Sequence, residues 1–594
     1  MVIGHDEHGL GERMFRQRNR SIQGRTRRVA RSELRQRWCR WRGGASSHDG
    51  GSGGSTTSGG SATGGGLGGA SPNSTGGVSA QGGGETALGG SPSGGVPSTA
   101  FIVSTNRYDN NRSGANLSET TLTQSNVTKG SFGLRFSMPV DGQVYAQPLY
   151  LSGIKMNDGK THNVVFIATQ HNVVYAFDAD SAANPLWQHT FGTPGSTSEF
   201  GCSDMLDTIG ITSTPVIDPN TGTLYFVEKS KENGAWIQRI HAVDITNGSD
   251  RAGSPVEIKP HAAGTGDGSS GGQVPFNPAH ALARAGLLLQ GGRVYVAFAS
   301  HCDKKPYHGW IVGYDTTLNQ KQVFLVSPNG SEGGIWQAGV GLSSDGASLF
   351  FAAGNGSTST DGSDLSLAVG RLNLSDFKVA DYWTPTSYKA MNGSDADLST
   401  GAVLIAHNLL LSGSKDGRLY VLDRANLGKY SASGDRILQT ISTQGKLAGD
   451  RGHLHGGPIY YDHPANGETV FVWPEESVLV KYTLNSDKTL SDPTYAHVAE
   501  PGHPGGILSL SANGNAAGSG ILWAAVPQQD AWHSTEPGTL YAFDPGDLHI
   551  LWHSEQNATR DSVGNFAKFN TPVVANGKVY VPTFSGKIQV YGLL

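Results

Sequence analysis

The sequence predicts an all-β fold: an eight-bladed β-propeller, with seven as the alternative count, closed by N- and C-terminal strands and preceded by a disordered tail. Three observations carry this. First, one phrase recurs, an apolar pair followed by Tyr or Val, an apolar residue, Asp, a short turn and an apolar-Trp pair. Its clearest copies are Val173–Asp178 with Leu186-Trp187 and Thr539–Asp544 with Leu551-Trp552, and weaker copies end at Asp244, Asp315 and Asp423. A repeat of tens of residues marks small sheets that cannot bury their own faces and must stack on neighbours. Second, eight runs share a small-polar entry, then Pro or Gly, then apolar residues. They begin at Tyr145 and Ile211 and near His280, Gln337, Leu398, His455, Gly505 and Phe569, and each precedes an apolar strand. Third, two strand-like runs lack a blade of their own, Phe132–Val140 and Lys587–Leu594. Pairing them closes the ring and removes the exposed edges of an open array.

In chain order, residues 1–42 are Arg-rich without apolar periodicity and read as a disordered segment. Residues 43–100 are a Gly/Ser-rich flexible linker, too poor in apolar side chains to offset its ordering entropy. Such a tether resembles the spacer behind the lipidated cysteine of bacterial surface lipoproteins. Cys39 is near that place, but Arg35-Gln36-Arg37-Trp38 before it is no lipobox. Residues 101–594 are the propeller. From Phe132 onward, short alternating β runs are separated by Gly/Asn/Asp turns, with no convincing amphipathic helix.

Charge and cysteine usage narrow the function classes. Net charge is −5. The first hundred residues hold 12 of the 44 basic and 6 of the 49 acidic side chains, leaving 32 against 43 in the propeller. An acidic body gives no electrostatic footprint for nucleic acid. No run of 18 apolar residues offers a transmembrane helix, and residues 1–42 lack the apolar stretch of a signal peptide. Cys39, Cys202 and Cys302 have no metal-finger spacing. His301-Cys302-Asp303 invites a nucleophile reading, but neighbours in a tight loop point apart and no base or oxyanion motif accompanies them. A disulfide between Cys202 and Cys302, clamping two adjacent blades, is the expectation.

Propeller ligands sit over the axial channel, at the starts of the inner strands. Aligning those strands gives a ring of Gln147, Thr212, Arg284, Trp336, Gln337, His453, His455, His503, Lys568 and Asn570, with Ser213 and Ser399 beside them. Cations and an aromatic platform suit an anionic or polyhydroxylated small molecule. His453-Leu454-His455 places two imidazoles on one strand face with His503 on the next blade. These are donors of the type Zn²⁺ or Cu²⁺ takes, and no metal ligand is assigned from them. Asp361-Gly362-Ser363-Asp364 and Asp395-Ala396-Asp397 carry oxygen ligands of the kind Ca²⁺ prefers, without the twelve-residue calcium loop.

The copies at 173–187 and 540–552 resemble the tryptophan-docking repeats of quinoprotein propellers, the pyrroloquinoline-quinone (PQQ) family. Residues 210–218 (GITSTPVID), 297–310 (AFASHCDKKPYHGW), 333–337 (GGIWQ) and 575–581 (ANGKVYV) resemble a bacterial group of secreted PQQ-like propellers. The resemblance covers roughly residues 130–594. It implies the propeller fold, an extracytoplasmic location, and PQQ and calcium as the cofactors to test. The quinoprotein dehydrogenases carry adjacent cysteines and a Glu/Asn/Asp calcium set; this chain has no Cys-Cys pair, and no motif matches that set. The expected function is therefore an exported, tethered, monomeric binding or scaffold module whose partner is a small molecule, glycan or protein at the propeller face. The alternative is a PQQ- and calcium-dependent oxidoreductase acting on an alcohol or aldose, with His455 and His503 as base candidates.

Overall fold

The computed structural model describes residues 101–201, 203–337, 339–443 and 452–594. The segments 1–42 and 43–100 lie outside them. Eight antiparallel sheets form the blades of a propeller. Their inner strands are Leu149–Lys155, Val216–Asp218, Leu288–Gln290, Ser343–Ser344, Val403–Ile405, Ile459–His463, Ile507–Ser511 and Val573–Ala575. Each begins a few residues after the start expected from sequence. Pro148, Pro215 and Pro458 lack the N–H a ladder needs, so the chain enters each of these blades through an extended segment.

Ring closure follows the expected scheme. Phe132–Pro139 is the outermost strand of the eighth blade and pairs antiparallel with Lys587–Leu593, Phe132 opposite Leu593 and Pro139 opposite Lys587. The core is divided to match. Eight apolar clusters each join the facing sheets of two adjacent blades, because each sheet has two apolar faces and no partner but its neighbours.

The recurring phrase has a local cause. Asp178, Asp244, Asp315, Asp423 and Asp544 each accept the backbone N–H two residues on, the Asx-turn that reverses the chain between third and fourth strands. Trp187, on the fourth strand, donates its indole N–H to the Ile245 carbonyl of the next blade at 2.8 Å. Trp552 packs against Phe132 and Tyr591 of the closing blade, with ring centroids 5.0 and 5.7 Å away.

One element has no counterpart in the sequence reading. Residues 101–119 cross the channel and touch all eight blades. Ile102–Val103 pairs with the first inner strand and Ala115–Asn116 runs parallel to the seventh. Between them, Asn106 donates to Thr214 Oγ1 in the second blade. Arg112 donates to the Leu287 and Leu342 carbonyls of the third and fourth. The Asn111 carbonyl accepts from Leu404 N in the fifth blade. Arg107 donates to the Pro458 carbonyl of the sixth, and Tyr108 accepts from Val574 N in the eighth. Arg107, Tyr108 and Arg112 take left-handed backbone, with φ of 55°, 73° and 65°, conformations that persist only where the surroundings over-determine them. Gly114, at φ 73°, is required in this plug, because a Cβ there would lie 2.6 Å from the Arg107 guanidinium.

Candidate functional site

The entry segments of the inner strands converge on a cavity of about 220 Å³. It lies at the end of the channel opposite the plug. Along the strands, Tyr145, Arg284, His455 and Phe569 line the cavity. Gln147, Leu287, Pro458 and Val574, two to five positions further on, hold the plug.

The cavity is divided by charge. On one side stand Arg284 and Lys568. The Arg284 guanidinium lies over the rings of Phe569 and Tyr145, 4.8 and 5.9 Å from their centroids. Its Nη2 is buried with no hydrogen-bond partner among the described residues, and burial pushes its pKa down to about 10. Lys568 Nζ donates to the carbonyls of Asp204 and Trp532 at 2.7 and 2.6 Å, and burial lowers it to about 8. Neither cation has a carboxylate ion pair among the described residues, an arrangement that is costly unless an anion is supplied from elsewhere.

The other side is acidic. Lys415 Nζ bridges Asp397 and Asp395 at 2.5 and 3.2 Å. Burial opposes that ammonium charge, but the two carboxylates hold its pKa above the ordinary lysine range. Asp397 also accepts from Asn355 N at 2.7 Å. Asp303 accepts from the Tyr307 hydroxyl at 2.8 Å, and burial raises its carboxyl. Cys302 and Asp303 are both left-handed, at φ 53° and 50°. The turn sends Asp303 into the cavity, while His301 stacks on Phe200 with centroids 4.8 Å apart. Cys302 is disulfide-bonded; its expected partner, Cys202, lies outside the described residues.

A third wall is built from histidines. His455 and His503 line the cavity. His455 Nε2 and His503 Nδ1 each lie 3.0 Å from Glu475 Oε2, and His453 Nδ1 lies 3.8 Å from the same oxygen. Burial drives the His455 imidazole down to about 3, so its N–H donates to the carboxylate as a neutral group. Burial alone would raise Glu475, but the bonds from His455 and His503 bring it well below the usual carboxylate range.

Of the ten ring residues expected from sequence, Arg284, Trp336, His455, His503 and Lys568 face the cavity. The others have structural partners. Gln147 accepts from Arg107 N and Asn106, and Thr212 accepts from Gln170. Gln337 spans Gly341 O and Ala352 N, Asn570 donates to the carbonyls of Val144 and Ala146, and His453 faces Glu475. Glu475 carries no sequence signal, since the buried histidines it bonds lie 20 and 28 positions away. Asp395 and Asp397 directly precede an inner-strand entry, and that position is their available signal.

No protein-family model and no curated protein matches the sequence. Solved structures do. A quinohemoprotein alcohol dehydrogenase from Comamonas testosteroni is 14% identical with a TM-score of 0.50, over 83% of this chain and 80% of that one. A europium-containing methanol dehydrogenase is 11% identical with a TM-score of 0.50, over 83% and 98%. The likeness is one of fold alone, and this chain is an eight-bladed propeller.

The residues do not fit the calcium ion that the quinoprotein resemblance implies. A calcium site needs six or more oxygens free to converge. Here the Lys415 ammonium occupies the space between Asp395 and Asp397, and Asp303 is engaged by Tyr307. A carboxylate-bearing ligand does fit, because Arg284 presents a donor without an acceptor.

Proposed function

We propose that this protein is an exported, tethered propeller that binds a small hydroxylated anion in the cavity at its channel mouth. The observation that carries the reading is Arg284, a buried guanidinium with an unpartnered Nη2 beside the cavity. An anionic group of the ligand takes Arg284 and Lys568, its body lies among Trp336, Trp532 and Phe569, and its hydroxyls meet Asp303 and Asp395. Burying a charged group among preformed donors and aromatic walls is how small-ligand sites gain both affinity and orientation. The disulfide at Cys302 supports an oxidising compartment, as does the Gly/Ser tether. Among the described residues no helix is long and apolar enough to cross a membrane.

The test is titration calorimetry on the full chain with PQQ, uronic acids and small hydroxylated di- and tricarboxylates. Saturable binding by one of these, weakened at least tenfold in Arg284→Met, is expected, since a charge-assisted hydrogen bond contributes about 1.5–3 kcal/mol. Binding that is equal in Arg284→Met, or no binding across the set, overturns the proposal.

A further inference from the structure

Glu475 stands where three histidines meet, and the role proposed for the anion cavity does not use it. Its Oε2 lies 3.0 Å from His455 Nε2 and 3.8 Å from His453 Nδ1, and the donor atoms of this trio all fall within 4.8 Å of one another. Tetrahedral zinc with bonds of about 2.0–2.1 Å sets its ligand atoms about 3.3 Å apart, a value the two measured separations bracket. His455 and Glu475 are buried, so an ion there is shielded from bulk water. His455 also lines the cavity, which gives the ion an entry path.

The geometry points to a divalent transition-metal site of two histidines and one carboxylate, His453, His455 and Glu475, with a coordination position open toward the cavity. Two imidazoles with one carboxylate and no thiolate suit Zn²⁺ and its first-row neighbours better than calcium or magnesium. Three protein ligands leave the fourth position to water or to a cavity ligand. His503 acts as a positioning residue: its bond to Glu475 Oε2 at 3.0 Å fixes the carboxylate, as outer-shell partners of metal ligands do. A second group, Asp544, Asp547 and His549, has comparable spacing. It sits at the edge of a blade, where Asp544 and Asp547 already accept from the N–H groups of Gly546 and His549.

The experiment uses the full chain, stripped with chelator, loaded with ZnCl₂ and passed through gel filtration before metal analysis. About one Zn²⁺ per chain is expected. Glu475→Gln and His455→Gln should each weaken zinc binding tenfold or more, His503→Ala by about 10–100-fold, and His549→Ala should leave it unchanged. Co²⁺ substitution supplies a readout that needs no variant: four- or five-coordinate N/O ligation gives intense visible absorption, and the hydrated ion does not. No retained zinc together with a hydrated-type Co²⁺ spectrum overturns the inference. So does zinc that survives Glu475→Gln and is lost in His549→Ala. The metal site borders the same cavity through His455, but its ligands are not the anion's cationic contacts, Arg284 and Lys568. Arg284→Met should keep the metal and lose the anion, so the two readings fail separately.

Discussion

Replacing Arg112 by Met removes the most heavily bonded side chain of the channel plug while keeping most of its volume. The guanidinium makes five hydrogen bonds, to the carbonyls of Leu342, Asn106, Asp109 and Leu287 and to Thr105 Oγ1, at 2.7–3.2 Å. At about 1.5–3 kcal/mol for a bond to a charged donor, they contribute on the order of 10 kcal/mol. Against this stands the cost of the buried charge. Burial lowers its pKa from 12.5 to about 9, which corresponds to about 5 kcal/mol. The difference, about 5 kcal/mol, is the expected destabilisation. A cooperatively melting body of roughly 500 residues has an unfolding entropy near 1 kcal/mol per kelvin, so differential scanning calorimetry should show a Tm lower by about 5 °C. Hydrogen exchange should also quicken at the amides of Ser344, Leu404 and Leu510, which donate to the plug carbonyls of Asn110, Asn111 and Gly114. A Tm shift below about 1 °C, or unchanged exchange at those amides, refutes the reasoning.

Glu228 gives a pH dependence of stability. Burial raises its carboxyl from 4.5 to about 7. The folded state therefore holds the proton more tightly, and stability falls as pH rises through that window, by up to about 3 kcal/mol; Glu228→Gln should flatten the denaturant midpoint between pH 5 and 8. Lys568, lowered to about 8 by burial, is cationic below that value. Affinity for an anionic ligand, measured by calorimetry, should drop between pH 7 and 9, and in Lys568→Met it should be weaker and pH-independent. Trp187→Phe leaves the Ile245 carbonyl without its interblade donor, an expected loss of about 2–3 kcal/mol in chemical denaturation. Lys415→Ala exposes Asp397 and Asp395 to each other, with an expected loss of about 3 kcal/mol that millimolar Ca²⁺ partly restores.

The propeller was legible because its determinants are local and repeated. The Asx-turn aspartates and the Trp docked on the next blade are dictated within about ten residues, and the unpaired runs at 132–140 and 587–594 had no other partner to take. The plug was not legible. Thr105–Gly114 has neither period 2 nor period 3.6, and its two arginines are held partly by the plug itself and partly by carbonyls of distant blades. The candidate site lies between these cases. Aligning inner-strand entries picks out Arg284, Trp336, His455, His503 and Lys568, which line one cavity. It could not tell that Gln147 and Asn570, equally polar and similarly placed, are consumed by the plug and by carbonyls of the first blade's entry, respectively. Glu475 escaped because its histidine partners arrive from two other segments, 453–455 and 503.

The closing strand sets an order of events during synthesis. Ser137 bonds to Gln589 across 452 positions of sequence, so the first strand of the ring to leave the ribosome is among the last to find its partner. At about 5–20 residues per second, that edge waits roughly 20–90 s. Until then each blade has a neighbour on one side only for part of the ring, and the plug has too few carbonyls to hold its arginines. A chain that cannot close until nearly complete stays pliable while it is being made, and it becomes rigid only when its last strand arrives.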